Sequence, residues 1–184
     1  VLMLQTQILQ RGRRRCGEAE VWTFDLQIER EPRLAQDARG QEAAGLVWEH
    51  RLQVEVGGEQ CFERVPLPFA IQSGLYRIHC LAQGPHGEQR VLHQGFWGHD
   101  AELLAAGESI GCGRDYFIKD HHPMPVVGMT YMASDVARKY LFLPNAAVWD
   151  RDMAQMARAG INWIRTGIWT AYRNIMQVDG HVSE

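Results

Sequence analysis

Apolar side chains fall on alternate positions in two separate runs, Trp22, Phe24, Leu26 and Ile28 and then Trp48, Leu52, Val54 and Val56. In an extended chain, successive side chains point to opposite faces, so each run presents one apolar face that needs a second layer to cover it. A helix would scatter the same residues around its axis, because it turns by about 100° per residue. Leu2 to Leu9, Cys61 to Leu67, Leu75 to Leu81 and Arg90 to Phe96 read as further strands, with turns at Gly57-Gly58 and Gly84-Pro85-His86-Gly87. Six or seven short strands in roughly the first 110 residues predict an antiparallel β-sandwich of immunoglobulin-like type. The polar, Ala-rich stretch from Glu31 to Gly45 fits either a long loop or a short helix, and Arg11, Arg13, Arg14 and Arg15 read as a solvated loop between strands.

The charge pattern narrows the partners. The 184 residues carry a formal net charge of -3, and no basic surplus gathers on one face, so neither nucleic acid nor an anionic membrane surface is an expected partner. No stretch reaches the roughly 18 consecutive apolar residues of a membrane helix, so the chain is expected to be soluble. The chain begins at Val1, and a removed leader and a longer upstream chain both stay open. Four cysteines without a CxxC pair are too few for a disulfide framework, and Cys61 and Cys80 are expected as small buried residues rather than as a bridge.

Near Asp120 the pattern changes. Pro123 to Tyr131 forms a continuous apolar run, the kind of strand covered on both sides in a parallel sheet. A helix is predicted after Pro144, with Asn145 as its cap and Gly160 in the left-handed position that ends it. Trp149, Met153 and Met156 share one face of that helix, and Asp150, Arg151, Asp152, Gln155 and Arg158 are placed toward solvent. The next strand runs from Ile161 to Trp169, which makes a β-α-β unit whose crossover is expected to be right-handed.

These residues resemble a known family. Gly128-x-x-Tyr131, then Trp149-x-x-Asp152-x-x-x-Met156-x-x-Ala159-Gly160, then Ile161-Asn162-x-Ile164-Arg165 is similar to the start of the catalytic barrel in clan A glycoside hydrolases, the bacterial β-galactosidase-like and cellulase-like enzymes. The preceding Tyr116 to Pro123 resembles the hairpin that introduces the first barrel strand, with His121 and His122 standing where the family prefers Gly and Lys. The resemblance covers Tyr116 to Trp169. It implies a mainly β chain: residues 1–115 as a β-sandwich accessory domain, and 116–184 as the first two strands and first helix of a (β/α)₈ TIM barrel. It also implies a retaining enzyme acting on β-linked oligo- or polysaccharide, without cofactor or metal. A bacterial cytoplasmic and an exported location are equally compatible with it.

Functional groups in such barrels gather at the carboxyl ends of the strands. The resemblance therefore makes Tyr131, Asp135, Arg165 and Trp169 the substrate-binding candidates. Arg165 matches the family's Arg that supports the nucleophile, and aromatic faces such as that of Trp169 stack on sugar rings. Trp149 and Trp163 read as core. A retaining glycosidase needs two carboxyl groups about 5 to 5.5 Å apart, which the family draws from its fourth and seventh strands, so no catalytic residue is assigned here and the chain alone is expected to be inactive. Adjacent His121 and His122 point apart in a turn and make a poor metal site, Gly111-Cys112-Gly113 lacks a dinucleotide fingerprint, and Cys112 has no evident His partner. The alternative function is a stand-alone carbohydrate-binding or protein-interaction module. It requires coplanar exposed aromatics on one sheet face, whereas a spacer domain would bury Trp22, Trp48 and Trp97. Unpaired edges of the two barrel strands also predict self-association.

Overall fold

The computed structural model describes residues 2–6, 19–31, 45–58, 61–106, 109–135 and 144–167. The basic run at Arg11 to Arg15, Cys16, most of the Glu31–Gly45 stretch, Arg138, Trp169 and everything after it lie outside the described residues. The fold is mainly β with antiparallel sheets, and the chain divides into two compact units, Val1–Asp100 and Ala101–Glu184.

In the first unit, β1 (Leu2–Thr6) pairs antiparallel with β4 (Cys61–Val65). The remaining strands, β2 (Glu20–Glu31), β3 (Gly45–Val56), β5 (Gly74–Gln83) and β6 (Gln89–Gly98), form a second antiparallel sheet in the order β3-β2-β5-β6. The alternation seen in the sequence sets its inner face. Phe24, Leu26, Val54, Val56, Cys80 and Ala82 are buried there, and Leu2, Leu4 and Val65 of the small sheet pack against them. Burying each such Leu, Val or Phe side chain contributes about 1.5–3 kcal/mol.

A second cluster closes the end of this core. Tyr76 stacks on Phe96 with ring centroids 4.7 Å apart and on Phe69 at 6.1 Å, over fully buried Ile28. The segment after β4 is fastened over these rings. The Gln72 backbone N–H donates to the Tyr76 hydroxyl at 2.9 Å, and the Arg30 guanidinium donates to the Ser73 carbonyl at 3.0 and 3.2 Å. Gly98 passes so close to this segment that an added Cβ would lie 1.7 Å from the Gln72 carbonyl oxygen. Cys61 and Cys80 are free thiols, with Cys80 buried and Cys61 half-buried.

One expectation for this unit fails. Trp22 and Trp48 pack toward the core, but Trp97 is 50% exposed, because it lies opposite Leu75 on the outer face of edge strand β6.

The second unit opens with α1 (Ala101–Ala105), followed by a small antiparallel sheet of β7 (Gly111–Cys112), β8 (Phe117–Lys119) and β9 (His122–Met124). Asp120 and His121 join β8 to β9 with φ of 53° and 62°, both in the left-handed region. Two positive-φ residues between two strands make the primed turn whose twist matches a hairpin. Next come β10 (Gly128–Thr130), α2 (Ala146–Arg158) and β11 (Trp163–Arg165), and β10 pairs parallel with β11.

The apolar run from Pro123 to Tyr131 is therefore not one strand. Its first residues belong to the hairpin, its last to the parallel pair, and 125–127 between them are outside both. Nor is it covered on both sides, since Gly128, Met129 and Thr130 are exposed and only Tyr131 and Ala133 beyond them are buried. The predicted strand from Ile161 likewise shortens to Trp163–Arg165 among the described residues.

The ends of α2 follow their residues. The Asn145 side chain accepts from the Val148 N–H. Gly160, at φ 79°, lets its own N–H reach the Ala157 carbonyl and the Ile161 N–H reach the Met156 carbonyl, a Schellman ending. Trp149, Met153 and Met156 pack against Tyr131, Ala133 and Ile164, as the periodicity predicts, and Val148 joins them.

Candidate functional site

The parallel pair has a carboxyl end, and the residues singled out by sequence sort around it. Asn162 fixes how the strands enter. Its side-chain amide donates to the Pro125 carbonyl at 2.8 Å and its side-chain oxygen accepts from the Val127 N–H at 2.9 Å, while its backbone N–H donates to the Val127 carbonyl at 3.0 Å. This side chain satisfies two backbone groups that the irregular stretch before β10 leaves open. From there the register runs Gly128 to Trp163, Met129 to Ile164 and Thr130 to Arg165. It continues one step further through the Tyr131 N–H, which donates to the Arg165 carbonyl at 2.9 Å. Trp163 stacks on Phe117 with centroids 5.0 Å apart, at the half-buried position expected of a packing residue.

Tyr131 follows β10 directly at the rim of this pair, but its ring lies in the core, 4% exposed. Its hydroxyl donates to Asp152 Oδ2 on α2 at 3.1 Å. The Ser134 backbone N–H donates to the same oxygen at 3.2 Å, and the Ser134 hydroxyl donates to Oδ1, also at 3.2 Å. Arg151 closes the cluster by donating to Ser134 Oγ at 2.6 Å and lying 3.3 Å from Asp152 Oδ1.

Asp152 thus does not face solvent as helical periodicity suggested, and its side chain is only 11% exposed. Burial pushes its pKa up, but donation from the Ser134 N–H, the Tyr131 hydroxyl, Arg151 and the Ser134 hydroxyl outweighs this and holds the carboxyl below the usual range. It is a permanent acceptor rather than a proton donor at neutral pH. The carboxylates with displaced pKa among the described residues, Asp25, Glu31 and Asp152, are all displaced downward, as suits ion pairing and positioning rather than general acid work.

Asp135 follows Ser134 directly and is exposed. Arg165 is exposed at the end of β11, beside Tyr131 through the shared backbone bond. The structure therefore brings three of the four predicted substrate-binding residues, Tyr131, Asp135 and Arg165, to one end of the parallel pair. The fourth, Trp169, lies outside the described residues. Sequence reading missed Asp152 and Ser134 as the knot of this end. The signal was present in the Trp149-x-x-Asp152 spacing, which puts Asp152 on the flank of the apolar stripe, within reach of the preceding strand.

In the hairpin, His122 Nδ1 lies 2.6 Å from the Asp120 carbonyl oxygen, so that ring is engaged within its own turn. Among the described residues no helix is long and apolar enough to cross a membrane. Comparison with known protein families, curated proteins and solved structures gave no match to the chain.

Proposed function

We propose that the chain is the front portion of a retaining glycoside hydrolase acting on β-linked carbohydrate. In this reading the first unit is an immunoglobulin-like accessory sandwich, and the β10-α2-β11 unit opens a (β/α)₈ barrel. The supporting observation is the parallel pairing of β10 with β11, with Tyr131, Asp135 and Arg165 gathered at its carboxyl end. That is the end at which barrel enzymes place their chemistry. Arg165 would brace the catalytic nucleophile by charge-assisted hydrogen bonds, and Trp169 would stack on a sugar ring. Tyr131 works here through Asp152, holding the Ser134–Asp135 segment at the rim. The paired carboxylic acids of the reaction come, on this reading, from strands other than β10 and β11.

A stand-alone carbohydrate-binding or interaction module is the competing reading. Trp97 supplies an exposed aromatic on the outer sheet face, whereas Trp22 and Trp48 are turned to the core. A module that stacks sugars along one face would expose Trp22 and Trp48 rather than turn them to the core.

The test is to isolate the native gene product with an antibody to this segment, weigh it and assay it on aryl β-glycosides, following the anomer by NMR. A product several times 21.0 kDa that hydrolyses with retention supports the proposal, and Arg165→Ala in that product should then lower kcat at least a hundredfold. A native product near 21.0 kDa without hydrolysis overturns it.

A further inference from the structure

The outer face of the four-stranded sheet carries cross-strand polar pairs. Arg51 on β3 donates from Nε and Nη2 to the two carboxylate oxygens of Asp25 on β2, Gln27 donates to Glu49 at 2.8 Å, and Arg77 on β5 holds Glu31 at 2.9 and 3.0 Å. Each of these is a closed donor-acceptor pair. One rung is of another kind. His79 on β5 stands directly opposite His93 on β6, and their Nδ1 atoms lie 3.0 Å apart, with ring planes at 84°. The far nitrogen of His79, Nε2, is 3.7 Å from Glu29 Oε2 on β2. The two rings border an open depression that Gln27, Glu29, Leu81 and Val91 also line.

We propose that His79 and His93 form a chelating site for a divalent transition-metal ion of the Ni²⁺, Cu²⁺ and Zn²⁺ class, bound through the two Nδ1 atoms. Imidazole nitrogens bind such ions at about 2.0–2.1 Å, so two ligands of one ion stand about 2.9 Å apart at a right angle and about 3.4 Å apart in a tetrahedron. The observed 3.0 Å fits the separation of adjacent ligands, and in the metal-free protein it is bridged by a hydrogen bond between the rings that an ion would replace. A carboxylate that accepts from the opposite ring nitrogen orients a ligating histidine and leaves its other nitrogen as the donor, and Glu29, 3.7 Å from His79 Nε2, is the carboxylate on that side. The hydrogen-bonded strands β5 and β6 already fix the spacing, so binding orders little that is not ordered beforehand. Among the described residues no group of three or more His, Cys, Asp or Glu side chains could hold a metal ion. The site therefore offers two protein ligands and leaves the other positions to water, which makes it an exchangeable surface clamp across the β5–β6 hairpin.

The experiment is calorimetric titration of the full chain with Ni²⁺, in a Cys112→Ser background that removes the exposed thiol. We expect one ion per chain with micromolar affinity, weakened at least tenfold in His79→Gln and in His93→Gln and unchanged in the His121→Ala, His122→Ala double variant. Paramagnetic broadening of the Leu81 and Val91 NMR signals by Ni²⁺ tests the same site without substituting a histidine. The proposal is overturned if no ion is taken up at about 1 mM Ni²⁺. It is equally overturned if uptake persists in His93→Gln, if it disappears with His121 and His122, or if Leu81 and Val91 stay sharp. In those cases the contact between the two rings is a hydrogen bond and not a metal clamp.

Discussion

A single carboxylate, Asp152, holds the end of β10 to the helix behind it. Tyr131→Phe keeps the buried ring and removes one donor to a charged acceptor, so it should cost the second unit about 1–2 kcal/mol. Asp152→Ala leaves the Tyr131 hydroxyl and the Ser134 N–H without their acceptor and should cost about 2–3 kcal/mol. Urea unfolding followed by a probe in the second unit measures both, and a smaller effect for Asp152→Ala than for Tyr131→Phe would mean that the cluster is not held together by the carboxylate. In the first unit, Gly98→Ala is expected to be severe, because the added methyl would meet backbone, the Gln72 carbonyl, rather than a side chain able to swing away. A cost of about 3 kcal/mol or more is expected, read as a fall in thermal midpoint together with a change in near-ultraviolet dichroism from the Tyr76–Phe96 stack.

Among the elements, the β8–β9 hairpin shows local chemistry working against geometry. His121 adopts φ 62°, a conformation that costs an L-residue about 1–2 kcal/mol, so His121→Gly should stabilise the second unit by roughly 0.5–1 kcal/mol after the entropy of glycine is counted. Denaturant midpoints of the two proteins decide this, and an unchanged or lower midpoint would mean that the His121 side chain makes a compensating contact.

The long strands were legible in the sequence, because Phe24, Leu26 and Ile28 and then Val54 and Val56 need only one rule, alternate burial, to declare their face. The α2 helix was legible at both ends, since Asn145 and Gly160 act on the backbone within one turn. The break after Met124 was not, because the apolar character of Pro123 to Tyr131 is continuous while the feature that divides it, the Asn162 side chain bonded to Pro125 and Val127, lies 35 residues or more away. The His79–His93 pairing was hidden for a related reason. It follows from counting outward from the turn at Gly84 to Gly87, where Gln83 pairs with Gln89, and neither run of residues displays it alone.

At the scale of the whole molecule, each unit carries carboxylates that the fold keeps ionised. Hydrogen bonds from Arg51 and from Arg77 lower the pKa of Asp25 and of Glu31 in the first unit, and Asp152 is lowered in the second. A lowered folded pKa means that the unfolded chain binds more protons through the interval between the two values, so stability rises with pH there. The contribution is whole above the ordinary carboxylate values of 3.8 and 4.5, and it disappears as pH falls through the lowered ones. Thermal midpoints should therefore be flat from neutrality to about pH 5 and fall below about pH 4, with Asp152→Asn reducing the fall for the second unit. A midpoint that stays constant down to pH 2 would contradict this.

Val126, Val127, Met129 and Met132 are exposed around β10, a concentration of apolar surface that predicts concentration-dependent association and binding of hydrophobic dyes. A monodisperse monomer that leaves such a dye dark would show the surface to be covered.

The pairing of Leu2 with Val65 and Thr6 with Cys61 also has a consequence in time. During synthesis β1 leaves the ribosome some sixty residues ahead of β4, and at about 5–20 residues per second that is an interval of roughly 3–12 s. Through that interval Leu2 and Leu4, which pack against the core, and the open edge of β1 have no partner, so the first unit can close its core only after most of its length has been made.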